Sequence, residues 1–127
     1  MSDKISKLDY RCLCDEILKS NTEILGVWLV RKVTPVEHAV KKGAPLPKPK
    51  ELNKMFLQGA VMISQASTNE QMYGRVKSIM INHEILSAFL VPIDSGQFLA
   101  IGCSALDNPK PVLGSIEKIV AKARSQN

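Results

Sequence analysis

The chain has 127 residues, of which 45% are apolar and only 5% aromatic, with a net charge of +5. That composition fills the core of one domain, spanning residues 1–127, with aliphatic side chains and needs no disulfide staples. It excludes a membrane span, because no apolar run approaches the ~18 residues required.

The amino-terminal stretch 1–7 is polar and mixed in charge, without the apolar centre of a secretory signal. Three cysteines, an odd number, lie within expected helix and strand. Reduced thiols in a cytoplasmic protein follow from that pattern. The charge is uneven. Seven basic residues and two acids lie between Arg31 and Lys54, and the remainder of the chain carries ten of each sign. The whole excess therefore sits in one connecting region.

Residues from about Ser6 to Ser20 predict a helix, with Leu8, Cys12, Leu13 and Ile17 recurring at three- and four-residue steps. Ile24 to Val30 is short, β-branched and apolar at both parities, as a central strand is. The segment 34–50 is rich in Pro and Lys, with Pro35, Pro45, Pro47 and Pro49, and reads as a connector. Only a short edge strand around Val36–Val40 fits inside it, because Pro is tolerated at sheet edges alone.

A second helix is expected from Pro49 or Lys50 to Ser67. Leu52, Met55, Phe56, Gly59, Met62, Ile63 and Ala66 form its stripe, and Leu57 and Val61 make a second apolar row beside it. The tail of this helix, Ser64 to Gln71, turns polar and should lead through a loop into the meander. Three apolar runs follow, Val76–Ile81, Ile85–Ile93 and Phe98–Cys103, split by Asn82-His83-Glu84 and by Asp94-Ser95-Gly96-Gln97. Short runs split by turn residues predict an antiparallel meander. A final helix begins after Asp107 or Asn108 as cap, with Val112, Leu113, Ile116, Ile119, Val120 and Ala123 on its buried face.

The second and third runs are apolar at both parities, yet neighbouring side chains on a strand point to opposite faces. Both faces must therefore be covered. The expected fold is α+β: a three-layer α/β/α sandwich, with an antiparallel sheet of about five strands and helices on both faces.

No motif carries chemistry. Cys12 and Cys14 point about 200° apart on a helix and cannot readily share a metal ion. His38 and His83 are isolated, and adjacent turn residues such as His83 and Glu84 diverge. The seven glycines match no phosphate-binding spacing. No catalytic, cofactor or metal site is expected, and no enzyme activity.

The element order, the long amphipathic second helix (Glu51–Ser67) and the Ile85–Ile93/Gln97–Cys103 hairpin resemble the Roadblock/dynein-light-chain family and its longin- and profilin-like relatives. Archaeal proteins of similar pattern also resemble it. The resemblance implies a five-stranded antiparallel sheet between helices, in a non-enzymatic homodimer that serves as a scaffold or regulator, often for small GTPases. It implies dimers that pair the second helix and the edge strand opening the meander, here Leu57, Val61, Arg75, Lys77 and Ile79. The 34–50 segment departs from the family, whose first two strands are joined by a tight hairpin. Lys41, Lys42, Lys48, Lys50 and Lys54 are the residues for a partner, a protein or the phosphates of a nucleic acid. Nucleic-acid binding is the alternative reading. A PAS-like ligand-sensing domain is another, and it requires an internal cavity.

Overall fold

The computed structural model describes residues 10–94 and 96–125. Helix α1 (Tyr10–Ser20) is followed by β1 (Ile24–Arg31), β2 (Thr34–Val40) and α2 (Pro49–Ala66). A 3-10 turn (Ser67–Asn69) and a one-turn helix α3 (Glu70–Tyr73) lead to β3 (Ile79–Asn82), β4 (Leu86–Asp94), β5 (Gln97–Ser104) and α4 (Lys110–Ser125). The five strands form one sheet in the order β2-β1-β5-β4-β3, with every neighbouring pair antiparallel.

The first hairpin is tighter than expected. Arg31 pairs with Thr34 across Lys32 and Val33, with Lys32 in the left-handed region at φ 60°. The second strand thus occupies 34–40, and the Pro/Lys-rich connector shrinks to 41–48. Pro35 is accommodated because β2 is an edge and a register shift falls opposite it, between Leu29 and Val30. The Lys32 N–H donates to the Gly96 carbonyl at 2.7 Å, joining this turn to the β4–β5 turn. Pro92 lies within β4 where β3 no longer reaches, since β3 pairs only with Ser87–Leu90.

Alternation along the central strands sends side chains into two layers. Phe89, Val91, Leu99 and Ile101 pack with Leu13, Cys14 and Ile17 of α1 and with Val112, Ile116 and Val120 of α4. Trp28, Val30, Leu90 and Phe98 pack with Phe56 of α2. The pair Phe89 and Leu90 is 0% and 5% exposed, and Leu99 and Ala100 are buried and half-buried. Neither face of the hairpin is wet, so the sheet lies between α1/α4 and α2.

Four details differ from the sequence reading. The buried face of α1 is Tyr10, Leu13, Cys14 and Ile17, and Cys12 is exposed; Leu8 and the expected start at Ser6 lie outside the described residues. The meander's first strand covers Ile79–Asn82 only, so Arg75 and Lys77 precede it. Ile85 belongs to the β3–β4 turn and is exposed, with β4 starting at Leu86. Past the expected helix end near Ser67, the polar tail continues as helical turns to Tyr73, where Gly74 at φ 84° ends them and its N–H returns to the Glu70 carbonyl at 2.8 Å. In α4 the Asn108 side chain accepts from the Lys110 N–H at 3.2 Å, one of the two expected caps.

Gly59 sets how closely α2 approaches the sheet. A β-carbon placed there would sit 3.1 Å from Leu90 Cδ2 and 3.3 Å from Phe98 Cε2. Gly59→Leu is expected to lift the helix and cost about 1–3 kcal/mol, the usual range for overpacking. Urea denaturation checks this, and a loss below about 0.5 kcal/mol would mean that α2 does not rest on Leu90 and Phe98 at this point.

Candidate functional site

The two sides of α2 differ, and the candidate surfaces follow from that division. With 3.6 residues per turn, Leu52, Phe56, Gly59 and Ile63 share one side. Phe56 and Gly59 are buried there. Leu57 and Val61, one turn apart, point away from the sheet and are 53% and 48% exposed. Lys50 and Lys54 are exposed on the same outer side.

The five residues expected at a dimer interface are divided among three environments. Leu57 and Val61 form one outward apolar row. Arg75 and Lys77 are exposed in the segment between α3 and β3. Ile79 is half-buried and packs against the α2-side core. Beyond Ile79, β3 has a strand neighbour on one side only. The turns after α2 add Met72 and Tyr73, 71% and 81% exposed, which the polarity of that stretch concealed.

The connector lysines are dispersed. Lys41 is stitched to the α1–β1 turn: its N–H donates to the Leu25 carbonyl at 2.8 Å and its Nζ to the Thr22 carbonyl at 3.0 Å. Lys42, Lys48, Lys50 and Lys54 are exposed. Lys48 and Lys50 flank the first residue of α2, where the helix dipole disfavours positive charge, and Lys54 lies one turn further along. The aromatic residue nearest in sequence, Phe56, is turned inward, its ring 6.0 Å from that of Trp28. The basic region therefore offers no exposed ring on which a base could stack.

A cleft of about 220 Å³, partly open to solvent where Met55, Gln58 and His83 are exposed, separates the inner side of α2 from the sheet. Its floor is made of small residues on β4 and β5: Ala88 faces Gly102 across the two strands, and Ala100 lies beside them, while Gly26, which faces Gly102 from β1, lies beneath Trp28. Trp28 covers part of this floor, so close to Gly26 that a β-carbon there would overlap the indole. Leu52, Met55 and Met62 of α2 form the roof. Leu46 and Pro47 of the connector close one side, and His83 and Leu86 lie at the other. The sequence signal was the placement of Ala88, Ala100 and Gly102, which becomes a trough only once strand register is known.

The polar groups inside the fold serve structure. Ser87, fully buried, donates from Oγ to Asn82 Oδ1 at 2.8 Å and accepts from the Leu106 N–H at 3.2 Å, tying the β3–β4 turn to the chain after β5. Arg124 donates to the Ile93 carbonyl, fastening the end of α4 to β4. Burial pushes the Cys14 thiol up to about 12, with the charges of Glu37 and Asp15 adding to the effect. Burial, with Glu23, does the same for Cys103, also to about 12. Both remain protonated thiols at neutral pH, a poor state for attack or metal binding. Among the described residues no three His, Cys, Asp or Glu side chains gather as metal ligands, and no helix is long and apolar enough to cross a membrane.

No family model and no curated protein matches the sequence. Solved structures do match its fold. A Roadblock/LC7 domain from Streptomyces avermitilis superposes with a TM-score of 0.71 at 12% identity, covering 93% of this chain and 97% of that one. MglB in a tetrameric arrangement gives 0.69 at 16% identity, covering 90% and 86%. The gliding protein MglB from Thermus thermophilus gives 0.67 at 15%, covering 91% and 87%. The chain has the Roadblock fold, as its element order and hairpin suggested.

The thiols supply a pH test. The folded chain holds both buried protons to about pH 12, whereas an unfolded thiol releases its proton near 9.0. Above pH 9 the unfolded state binds fewer protons than the folded one. Stability is thus complete below pH 9 and declines toward 12, by about 1.4 kcal/mol per pH unit for each thiol. Denaturation curves from pH 8 to 11 measure the slope. In native protein at pH 8, Cys12 alone should react rapidly with a thiol reagent, and equal rates at three thiols would contradict the burial of Cys14 and Cys103.

Proposed function

We propose that this chain is a non-enzymatic scaffold or regulatory domain that forms a homodimer and acts with a small GTPase in the cytoplasm. The observation that carries the reading is the outward row of Leu57 and Val61 on α2. A helix that already buries one side against a sheet has no need of a second apolar row unless that row meets another surface. The free edge of β3 offers backbone groups to the same kind of contact, and a two-fold axis would pair each with its own copy. Arg75 and Lys77, on the approach to that edge, discourage pairing with unrelated strands while allowing one defined partner.

The GTPase limb rests on the fold and on the kind of proteins that share it, MglB among them. Lys42, Lys48, Lys50 and Lys54 supply a positive border that suits an acidic protein surface, where electrostatic complementarity speeds encounter. Their scatter and the inward turn of Phe56 favour a protein over a nucleic acid as the partner.

Sedimentation equilibrium tests the dimer. The expected mass is about twice the 14.0 kDa of one chain, falling to one chain with Leu57→Glu and Val61→Glu. A monomer at high micromolar concentration of the unsubstituted chain would overturn it. Titration of a small GTPase from the same source, loaded with GDP or a non-hydrolysable GTP analogue, tests the second limb. Binding that differs between the two nucleotides is expected, and no binding to either form removes the GTPase from the proposal.

A further inference from the structure

The cavity under α2 is walled on both sides by main structural layers. Its floor cannot collapse, because Ala88, Ala100 and Gly102 are held in register across β4 and β5 by the sheet's hydrogen bonds. Its roof cannot descend, because α2 already rests on Leu90 and Phe98 through Gly59 and on Trp28 through Phe56. The void therefore belongs to the frame of the fold. At about 220 Å³ it exceeds the ~150 Å³ apolar cavity that accepts benzene in another protein, which scales to roughly ten non-hydrogen atoms.

The lining decides what such a space could take. No Lys, Arg, Asp or Glu lines it. A charged ligand would lose its hydration without gaining a counter-charge, which is strongly unfavourable. Water is a poor occupant too, since it needs two to four polar partners and the floor and roof present almost none. The polar side chains are Gln58, His83 and the Trp28 indole. They suffice for one neutral hydroxyl or carbonyl, not for a carboxylate.

We propose that this cavity is a binding site for a compact, neutral, predominantly apolar molecule of roughly ten non-hydrogen atoms, a single ring or a short chain. Trp28 and the Ala88–Ala100–Gly102 floor form the base of the site, and Leu52, Met55 and Met62 form the roof. The site uses the inner side of α2, so it stands apart from the self-association assigned to Leu57 and Val61 on the outer side.

Trp28 is the sole tryptophan of the chain, so its emission reports on this cavity alone. The test titrates the full chain with bromobenzene, whose heavy atom quenches a tryptophan at close range, and in parallel with 4-bromobenzoate, nearly the same shape with a charge. Bromobenzene should quench saturably at one molecule per chain, and the carboxylate at least tenfold more weakly. Ala88→Leu fills the floor and should weaken bromobenzene by tenfold or more. If that variant does not fold, the unsubstituted protein still decides the matter: on saturation with bromobenzene, the amide NMR shifts should concentrate at Ala88, Ala100 and Gly102. Quenching that rises linearly without saturation, equal quenching by the charged probe, full affinity in a folded Ala88→Leu, or shifts centred on Leu57 and Val61 would each overturn the proposal.

Discussion

Phe89 and Leu90 are adjacent in sequence, enter opposite layers of the molecule, and are both buried. The rest of the fold depends on that constraint. A strand pair apolar on both faces, as β4 and β5 are, is stable only if something roofs each face, because every exposed apolar side chain forfeits part of the driving force for folding. One face receives α1 and α4, which pack together over Phe89, Val91, Leu99 and Ile101. The other receives α2 alone. The asymmetry of two helices against one explains why the α1/α4 layer is densely filled and the α2 layer contains both a half-buried rim and a cavity.

That single helix consequently has an unusual division of labour. Gly59 lets its middle settle on Leu90 and Phe98. Elsewhere the sheet beneath presents Ala88, Ala100 and Gly102, which are too small to reach the helix, and Trp28 with Phe56 spans only part of the gap. The connector helps close the side: Leu46 joins the α2-side core, so the proline-rich stretch contributes to packing in addition to linking β2 to α2. The outer row, Leu57 and Val61, follows from the same helix being wider in its apolar arc than one contact with a sheet requires.

The Roadblock likeness at 12–16% identity concerns the path of the backbone. A backbone of this kind is specified by which positions are apolar, and many sequences satisfy that pattern. Partner surfaces are specified by the individual exposed side chains, and these vary freely once the pattern is met. The likeness therefore says nothing about the outward residues of α2, the charged approach to β3 or the lysines flanking the connector, which are read from this chain alone.

The sequence by itself determined the layers. Two-sided apolar strands, three amphipathic helices and the turn residues between them admit one arrangement, and Leu57 and Val61 were recognisable as surplus because helical periodicity is local arithmetic. The limits of that reading are equally physical. Pro35 and Val36–Val40 read as a poor strand, yet pairing with β1 and a register shift make β2 a full edge, because the partner's hydrogen bonds outweigh local preference. Cys12 and Cys14 are indistinguishable by type, and only the direction of α1 buries the second and exposes the first. That Ile79, expected at an interface, also packs against the α2-side core was not legible from its place in the chain. The trough of Ala88, Ala100 and Gly102 exists only where β4 and β5 pair beneath α2. Periodicity is written between neighbours in sequence, whereas cavities, registers and shared surfaces arise between neighbours in space, and those the tertiary structure alone decided.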